Sequence, residues 1–144
     1  MPIVYDKSRK IFHLQAGDTS YIMQVVKEKY LVHLYWGRHI SSYHESRRII
    51  WKDRGFAPNP DASDRTFSLD TLPQEYPQTG NGDFRNPAYG IRQENGSRIS
   101  NLEYIGYEIS DGKPKLPGLP ASSGSKKDVQ TLKVYMEDAV AGLK

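Results

Sequence analysis

The chain has 144 residues, 20 Lys+Arg against 17 Asp+Glu, ten Tyr, four Phe, two Trp and no Cys. That length supports one core in one domain, and the aromatic content exceeds what disordered chains carry. The lack of Cys excludes a disulfide framework, a thiolate metal site and a thiol nucleophile, and no apolar run approaches the roughly 20 residues of a membrane span.

Four short runs rich in β-branched and aromatic residues come first: Ile3-Val4-Tyr5, Ile11-Phe12-His13-Leu14, Tyr21-Ile22-Met23-Gln24-Val25-Val26 and Tyr30-Leu31-Val32-His33-Leu34-Tyr35-Trp36. Turn residues at 6–8, 16–18 and 27–29 separate them, so each run reads as a strand. No 3.6-residue period develops here, and the spacing predicts an all-β antiparallel sandwich rather than βαβ units. Residues 51–88 differ. Pro58, Pro60, Pro73, Pro77 and Pro87 lack the donor that a central strand needs. Yet Trp51, Phe56, Phe67, Tyr76 and Phe84 give the stretch aromatic weight, and an ordered, packed loop from Trp51 to Pro87 is expected, with a turn at Gly80-Asn81-Gly82. Asn95-Gly96 predicts a two-residue hairpin turn between strands at 89–94 and from 97 onward, because such a turn needs positive φ at both residues. The turn reading is preferred to a glycosylation sequon at Asn95-Gly96-Ser97. Inward-facing residues change phase between Tyr104 and Ile105, which predicts a bulge or a strand buried on both faces. After a loop at 114–120, Leu132, Val134 and Met136 mark a last strand, with a short helix over 126–135 as its rival.

Residues 1–54 carry ten Lys/Arg and five Asp/Glu, and residues 55–144 ten and twelve. The basic excess gathers at Arg47, Arg48, Lys52 and Arg54 around Trp51. It matches no nucleic-acid module and reads as solvated surface; neither nucleic acid nor a membrane is expected as a partner. Residues 1–7 lack the apolar centre of a signal peptide, so a soluble cytoplasmic protein is expected. His13, His33, His39 and His44 share no metal-ligand spacing, and there is neither a nucleophile elbow nor a phosphate-binding glycine loop, so no metal or cofactor is expected. Carboxylates remain: Asp53, Asp61, Asp64, Asp70, Glu75 and Asp83. Two carboxylates can run glycoside hydrolysis. Asp61 and Asp64 read first as turn caps, and Asp53 beside Arg54 and Asp64 beside Arg65 read also as ion pairs. The same Asp, Arg and aromatic residues suit a polyhydroxylated ligand, since carboxylates accept from hydroxyls and guanidinium donates in a fixed fork.

The run Asp53-Arg54-Gly55-Phe56-Ala57-Pro58-Asn59-Pro60-Asp61 is followed by Asp64-Arg65-Thr66-Phe67-Ser68-Leu69-Asp70-Thr71-Leu72-Pro73 and then by Gly82-Asp83-Phe84-Arg85. Together these resemble the N-terminal domain of bacterial α-galactosidases of glycoside hydrolase family 36. Phe12-His13-Leu14, Tyr35-Trp36-Gly37, Glu94-Asn95-Gly96-Ser97 and Gly112-Lys113-Pro114-Lys115-Leu116-Pro117 extend the likeness over practically the whole chain. Gly55 and Ala57 stand where Ser-type residues are usual, Gln78-Thr79 where an aromatic commonly precedes the glycine, and Ser122-Ser123-Gly124 where Thr-Tyr is usual. The resemblance implies a partial N-terminal β-sandwich domain over 1–144, with the catalytic (β/α)8 barrel and its two aspartates absent. The chain would then be inactive alone. It would belong to an enzyme cleaving terminal α-galactosides such as melibiose and raffinose. In tetrameric members this domain reaches the active site of a neighbouring subunit. By that resemblance Asp53 and Arg65 contact galactose hydroxyls or order the pocket, with Trp51, Asp64 and Asp83 as further substrate-side candidates and no catalytic residue. The rival readings are a stand-alone galactoside-binding or interaction module and a truncated reading frame without independent function.

Overall fold

The computed structural model describes residues 2–44, 49, 51–56, 58–118, 120 and 127–144. Arg47, Arg48, Ala57 and residues 122–124, singled out above, lie outside these. Strands β1 (Ile3–Asp6), β2 (Ile11–Ala16), β3 (Thr19–Val26) and β4 (Tyr30–Arg38) form one sheet in the order β1-β2-β3-β4, every pair antiparallel. Strands β5 (Glu103–Asp111) and β6 (Gln130–Glu137) form a second, two-stranded antiparallel sheet. The rival helix is overturned: residues 130–137 are strand, where β-branched and apolar side chains alternate against β5.

The hairpin turns follow from local chemistry. Asp6 Oδ1 accepts from the backbone N–H of Ser8 and Arg9 at 2.9 and 3.1 Å, closing the β1–β2 turn. At β3–β4, Lys27 and Glu28 both take positive φ, +51° and +62°, the twist-matched geometry for a tight hairpin. The register of β3–β4 shifts at Ile22/Met23, so that Ile22 faces Tyr35 and Met23 faces His33. On β5, Tyr104 pairs with Met136 and Gly106 with Tyr135, which leaves Ile105 as the extra residue. This is the bulge that the change of phase predicts.

Both faces of the four-stranded sheet are buried. On one, Ile11, Ile22, Val32 and Leu34 meet Tyr43, Phe67, Leu69 and Leu72, with Trp51 packed alongside. On the other, Phe12, Met23, Val25 and Leu31 meet Tyr104, Tyr107, Leu132 and Val134 of the second sheet. The rings of Tyr5, Phe12 and Tyr107 lie 4.4–4.9 Å apart at this inter-sheet contact. The segment after the short 3-10 turn Leu69–Thr71 lies along the outer edge of β4: His33 N–H donates to Pro73 O at 2.7 Å and Glu75 N–H to Leu31 O at 3.0 Å. That covers backbone groups an edge strand would otherwise leave open.

The expected hairpin at Asn95-Gly96 is corrected. Residues 89–100 contain no strand, and only Gly96 of the pair has positive φ, +83°. Gly96 N–H donates to Gln93 O and Gln93 N–H to Ser97 O, both at 2.9 Å, closing a three-residue loop. The two-residue Asn-Gly turn is instead at Asn81-Gly82, with φ of +51° and +84° and two hydrogen bonds between Gly80 and Asp83.

Candidate functional site

Asp53 and Arg65 are twelve positions apart, yet their side chains meet, Arg65 Nη2 lying 3.5 Å from Asp53 Oδ1. Both stay in solvent, with 58% of the Asp53 and 75% of the Arg65 side chain exposed. Their chain neighbours are anchored. Arg54 Nη2 donates to Ser68 Oγ at 2.8 Å and to Asp70 Oδ1 and Oδ2 at 2.8 and 2.9 Å. Ser68 is buried at the start of the 3-10 turn, and its hydroxyl donates to Asp70. On the other side, Asp64 Oδ1 accepts from Thr66 N–H at 3.0 Å and Thr66 Oγ1 at 2.6 Å, while Asp64 Oδ2 accepts from Lys27 Nζ at 2.8 Å. Lys27 also reaches Asp61 at 3.2 Å, and its ammonium lies 5.5 Å from the centre of the Phe67 ring. The hydrogen bonds from Lys27 and Thr66 bring the Asp64 pKa down to about 2, and those from Ser63 and Lys27 lower that of Asp61.

Trp51 is half-buried, its ring 5.2 Å from that of Phe67. Asp83 is buried at 1% exposure, and its carboxylate accepts from Arg85 Nε, Arg85 Nη2 and Gln74 Nε2 at 2.8, 2.7 and 3.0 Å. Arg85 Nη2 also donates to the carbonyls of Leu69 and Leu72, so the pair ties the Asn81-Gly82 turn to the 3-10 turn. Hydrogen bonds from the Arg85 guanidinium, then from the Arg85 backbone N–H and Gln74, outweigh burial, which acts the other way, and hold the Asp83 pKa below the ordinary carboxylate value.

The structure thus brings Asp53 and Arg65 together, ties Asp64 to Lys27 and Thr66, packs Trp51 against Phe67, and places Asp83 in the scaffold. The ion pairs differ from those read between chain neighbours: Asp53 meets Arg65 rather than Arg54, Arg54 meets Asp70, and Asp64 meets Lys27. Adjacent side chains in extended or turn backbone point apart, so a partner across the loop is the better placed one. Lys27 goes unnoticed in the sequence because 34 and 37 positions separate it from its two carboxylates.

A separate, open and largely apolar groove of about 540 Å³ is lined by Leu31, Tyr76, Tyr89, Ile91, Val134 and Met136, among others. The Tyr76 and Tyr89 rings stack at 5.1 Å. At its margin Glu75 accepts from the Tyr21 hydroxyl and sits 2.9 Å from His33 Nδ1. Burial, then Glu75, pushes the Tyr21 pKa upward. Neither Asp53 nor Arg65 lines this groove. Among the described residues, no group of three or more His, Asp or Glu could hold a metal ion, and no helix is long and apolar enough to cross a membrane.

The family model of the glycosyl hydrolase family 36 N-terminal domain matches residues 29–144. The chain belongs to this family. Over 144 residues it is 48% identical to alpha-galactosidase AgaA of Geobacillus stearothermophilus, covering 99% of this chain and 20% of that enzyme. The crystal structure of the family 36 α-galactosidase AgaB from the same organism superposes with a TM-score of 0.87 at 49% identity, covering 97% of this chain and 19% of that one. A variant of AgaA crystallised with stachyose matches with the same score and identity over 92% of this chain and 19% of its own. The family 36 N-terminal domain seen here therefore spans about one fifth of the length of its relatives.

Proposed function

We propose that this family 36 domain serves a cytoplasmic α-galactosidase that hydrolyses terminal α-galactosides such as melibiose and raffinose. Its part is subunit assembly and the rim of the active site rather than bond cleavage. Asp53 and Arg65 are the substrate-side residues: a carboxylate that accepts from sugar hydroxyls beside a guanidinium that donates to them. Trp51, Asp64 and Asp83 hold the rim in shape. The observation that carries this reading is the exposed Asp53–Arg65 pair set between anchored neighbours. Two charged side chains pointing into solvent from a fixed base are what a pocket completed by a second polypeptide region needs. The cleaving aspartates, by the family resemblance, lie in the barrel.

The test has two arms. The purified chain should show no turnover of a chromogenic α-galactoside above buffer background. Exchanged for the matching segment of alpha-galactosidase AgaA, it should give an assembled and active enzyme. Turnover by the chain alone, or a folded chimera that fails both to assemble and to hydrolyse, would contradict the proposal.

A further inference from the structure

The chain contains two Asn-Gly pairs, and the fold treats them in opposite ways. An asparagine followed by glycine is chemically labile because the next backbone nitrogen, unscreened by a Cβ, can approach the side-chain amide carbon. The backbone must first turn that nitrogen toward Cγ, so the surroundings of the pair decide whether it reacts.

At Asn81-Gly82 the surroundings forbid it. Gly80 N–H to Asp83 O and Asp83 N–H to Gly80 O, at 3.1 and 3.0 Å, close the turn from both ends. A Cβ built on Gly82 would lie 2.0 Å from Pro58 Cβ, so the glycine is packed against that ring. Asp83, next in the chain, is buried and bonded to Arg85 and Gln74. Rotating the Asn81-Gly82 unit means dislodging all of these at once.

At Asn95-Gly96 no packing stands in the way. Residues 94–96 are all exposed, and no atom lies within 4 Å of a Cβ built on Gly96. The loop is closed by Gly96 N–H to Gln93 O, Gln93 N–H to Ser97 O and Gln93 Nε2 to Ile99 O; the first of these, in an exposed loop, has to open before the Gly96 nitrogen can attack. One further contact favours reaction: Ser97 N–H donates to Asn95 Oδ1 at 2.9 Å. That donor polarises the side-chain carbonyl and supports the negative charge its oxygen takes up during attack.

We propose that Asn95 is a site of spontaneous covalent modification, deamidation through a succinimide, and that the fold protects Asn81 from the same reaction. The Gly96 nitrogen gives up its proton and bonds to Asn95 Cγ; the bond from Cγ to the side-chain nitrogen breaks, and ammonia leaves with the proton. Water then opens the ring at either carbonyl. One opening gives aspartate. The other gives isoaspartate, which lengthens the backbone by one atom inside the three-residue loop and disrupts the bond between Gln93 and Ser97. The net reaction consumes one water and releases one ammonia.

The experiment ages the whole chain at mildly alkaline pH, folded in one sample and unfolded in urea in another, in water enriched in heavy oxygen. Trypsin then releases residues 93–98 and 66–85 as separate peptides, each with one Asn-Gly pair, for mass spectrometry. Unfolded, the two peptides should gain the label at similar rates. Folded, 93–98 should continue to gain it while 66–85 slows by about tenfold or more, in keeping with the opening energy of a packed turn. Asn95→Gln should abolish the gain on 93–98 and leave 66–85 unchanged. Equal protection of both sites in the folded chain, or faster labelling at Asn81, would overturn the proposal.

Discussion

Asp83 keeps its charge inside the fold because four hydrogen bonds converge on it, three from Arg85 and one from Gln74. Its replacement by Asn leaves Arg85 without a counter-charge and a buried amide with donors facing donors. Asp83→Asn should lower the unfolding free energy by about 1.5–3 kcal/mol, the cost of a lost charge-assisted hydrogen bond, and an unchanged urea midpoint would refute that role. The carboxylates also set an acid limit. Asp64 titrates at about 2 in the folded chain against an ordinary 3.8, so the unfolded chain binds the proton first. The stability it contributes is complete above 3.8 and is lost as the pH falls through about 2. Asp83 and Asp61 shift the same way. Urea midpoints should therefore fall on acidification in this window, and Lys27→Met should flatten the fall, because Lys27 is the leading cause of the Asp64 shift. At this scale the sequence was readable where a side chain bonds its own turn, as Asp61 and Asp64 do with Ser63 and Thr66. It was not readable for Lys27, whose partners depend on how the loop folds back over Phe67.

Among the elements, β1 to β4 declare themselves because each is a short run of β-branched and aromatic residues that ends at turn chemistry needing no distant partner. Turns are expected at both Asn-Gly pairs and both turn the chain, but the two-residue hairpin geometry belongs to Asn81-Gly82 and not to Asn95-Gly96. Gly82 has Pro58 and the Gly80–Asp83 bonds to complete a two-residue turn, whereas the sequence around Gly96 has no strands to join. Gly82→Ala and Gly96→Ala make a controlled comparison, since φ is +84° and +83° at the two sites. Both should lose about 1–2 kcal/mol to left-handed strain. Gly82→Ala should lose clearly more, because its Cβ runs into Pro58; equal losses in urea unfolding would contradict the packing described. The bulge at Ile105 makes a second comparison. Tyr104 and Tyr107 both face the inter-sheet core although three positions apart, and the extra residue between them is 55% exposed. Deleting Ile105 leaves the two tyrosines on one face at strand spacing. The deletion should therefore be better tolerated than Tyr107→Ala, which removes a ring from the contact with Tyr5 and Phe12 at a cost of about 2–4 kcal/mol. A reversed order of urea midpoints would show that the bulge has another purpose.

For the molecule as a whole, the central sheet is covered by two different materials: a second sheet on one face and irregular chain bearing Phe67, Leu69 and Leu72 on the other. The first was foreseeable from alternation at 102–109 and 132–136. The second was not, because irregular segments carry no period and the strand-like pairing of residues 73–75 with β4 is set by contacts across forty positions. That same irregular chain presents Asp53 and Arg65 to solvent while its apolar residues fix it to the sheet, which links the packing to the proposed sugar rim. The most direct test is a double-mutant cycle in the chimera with alpha-galactosidase AgaA, reading kcat/KM for raffinose in Asp53→Ala, Arg65→Ala and the pair together. Each single change should lower kcat/KM about tenfold or more, and the double change should fall short of the product of the two, as coupled neighbours do. Unaltered kcat/KM in both single variants, in an enzyme that still assembles, would contradict the assignment of these residues to the substrate.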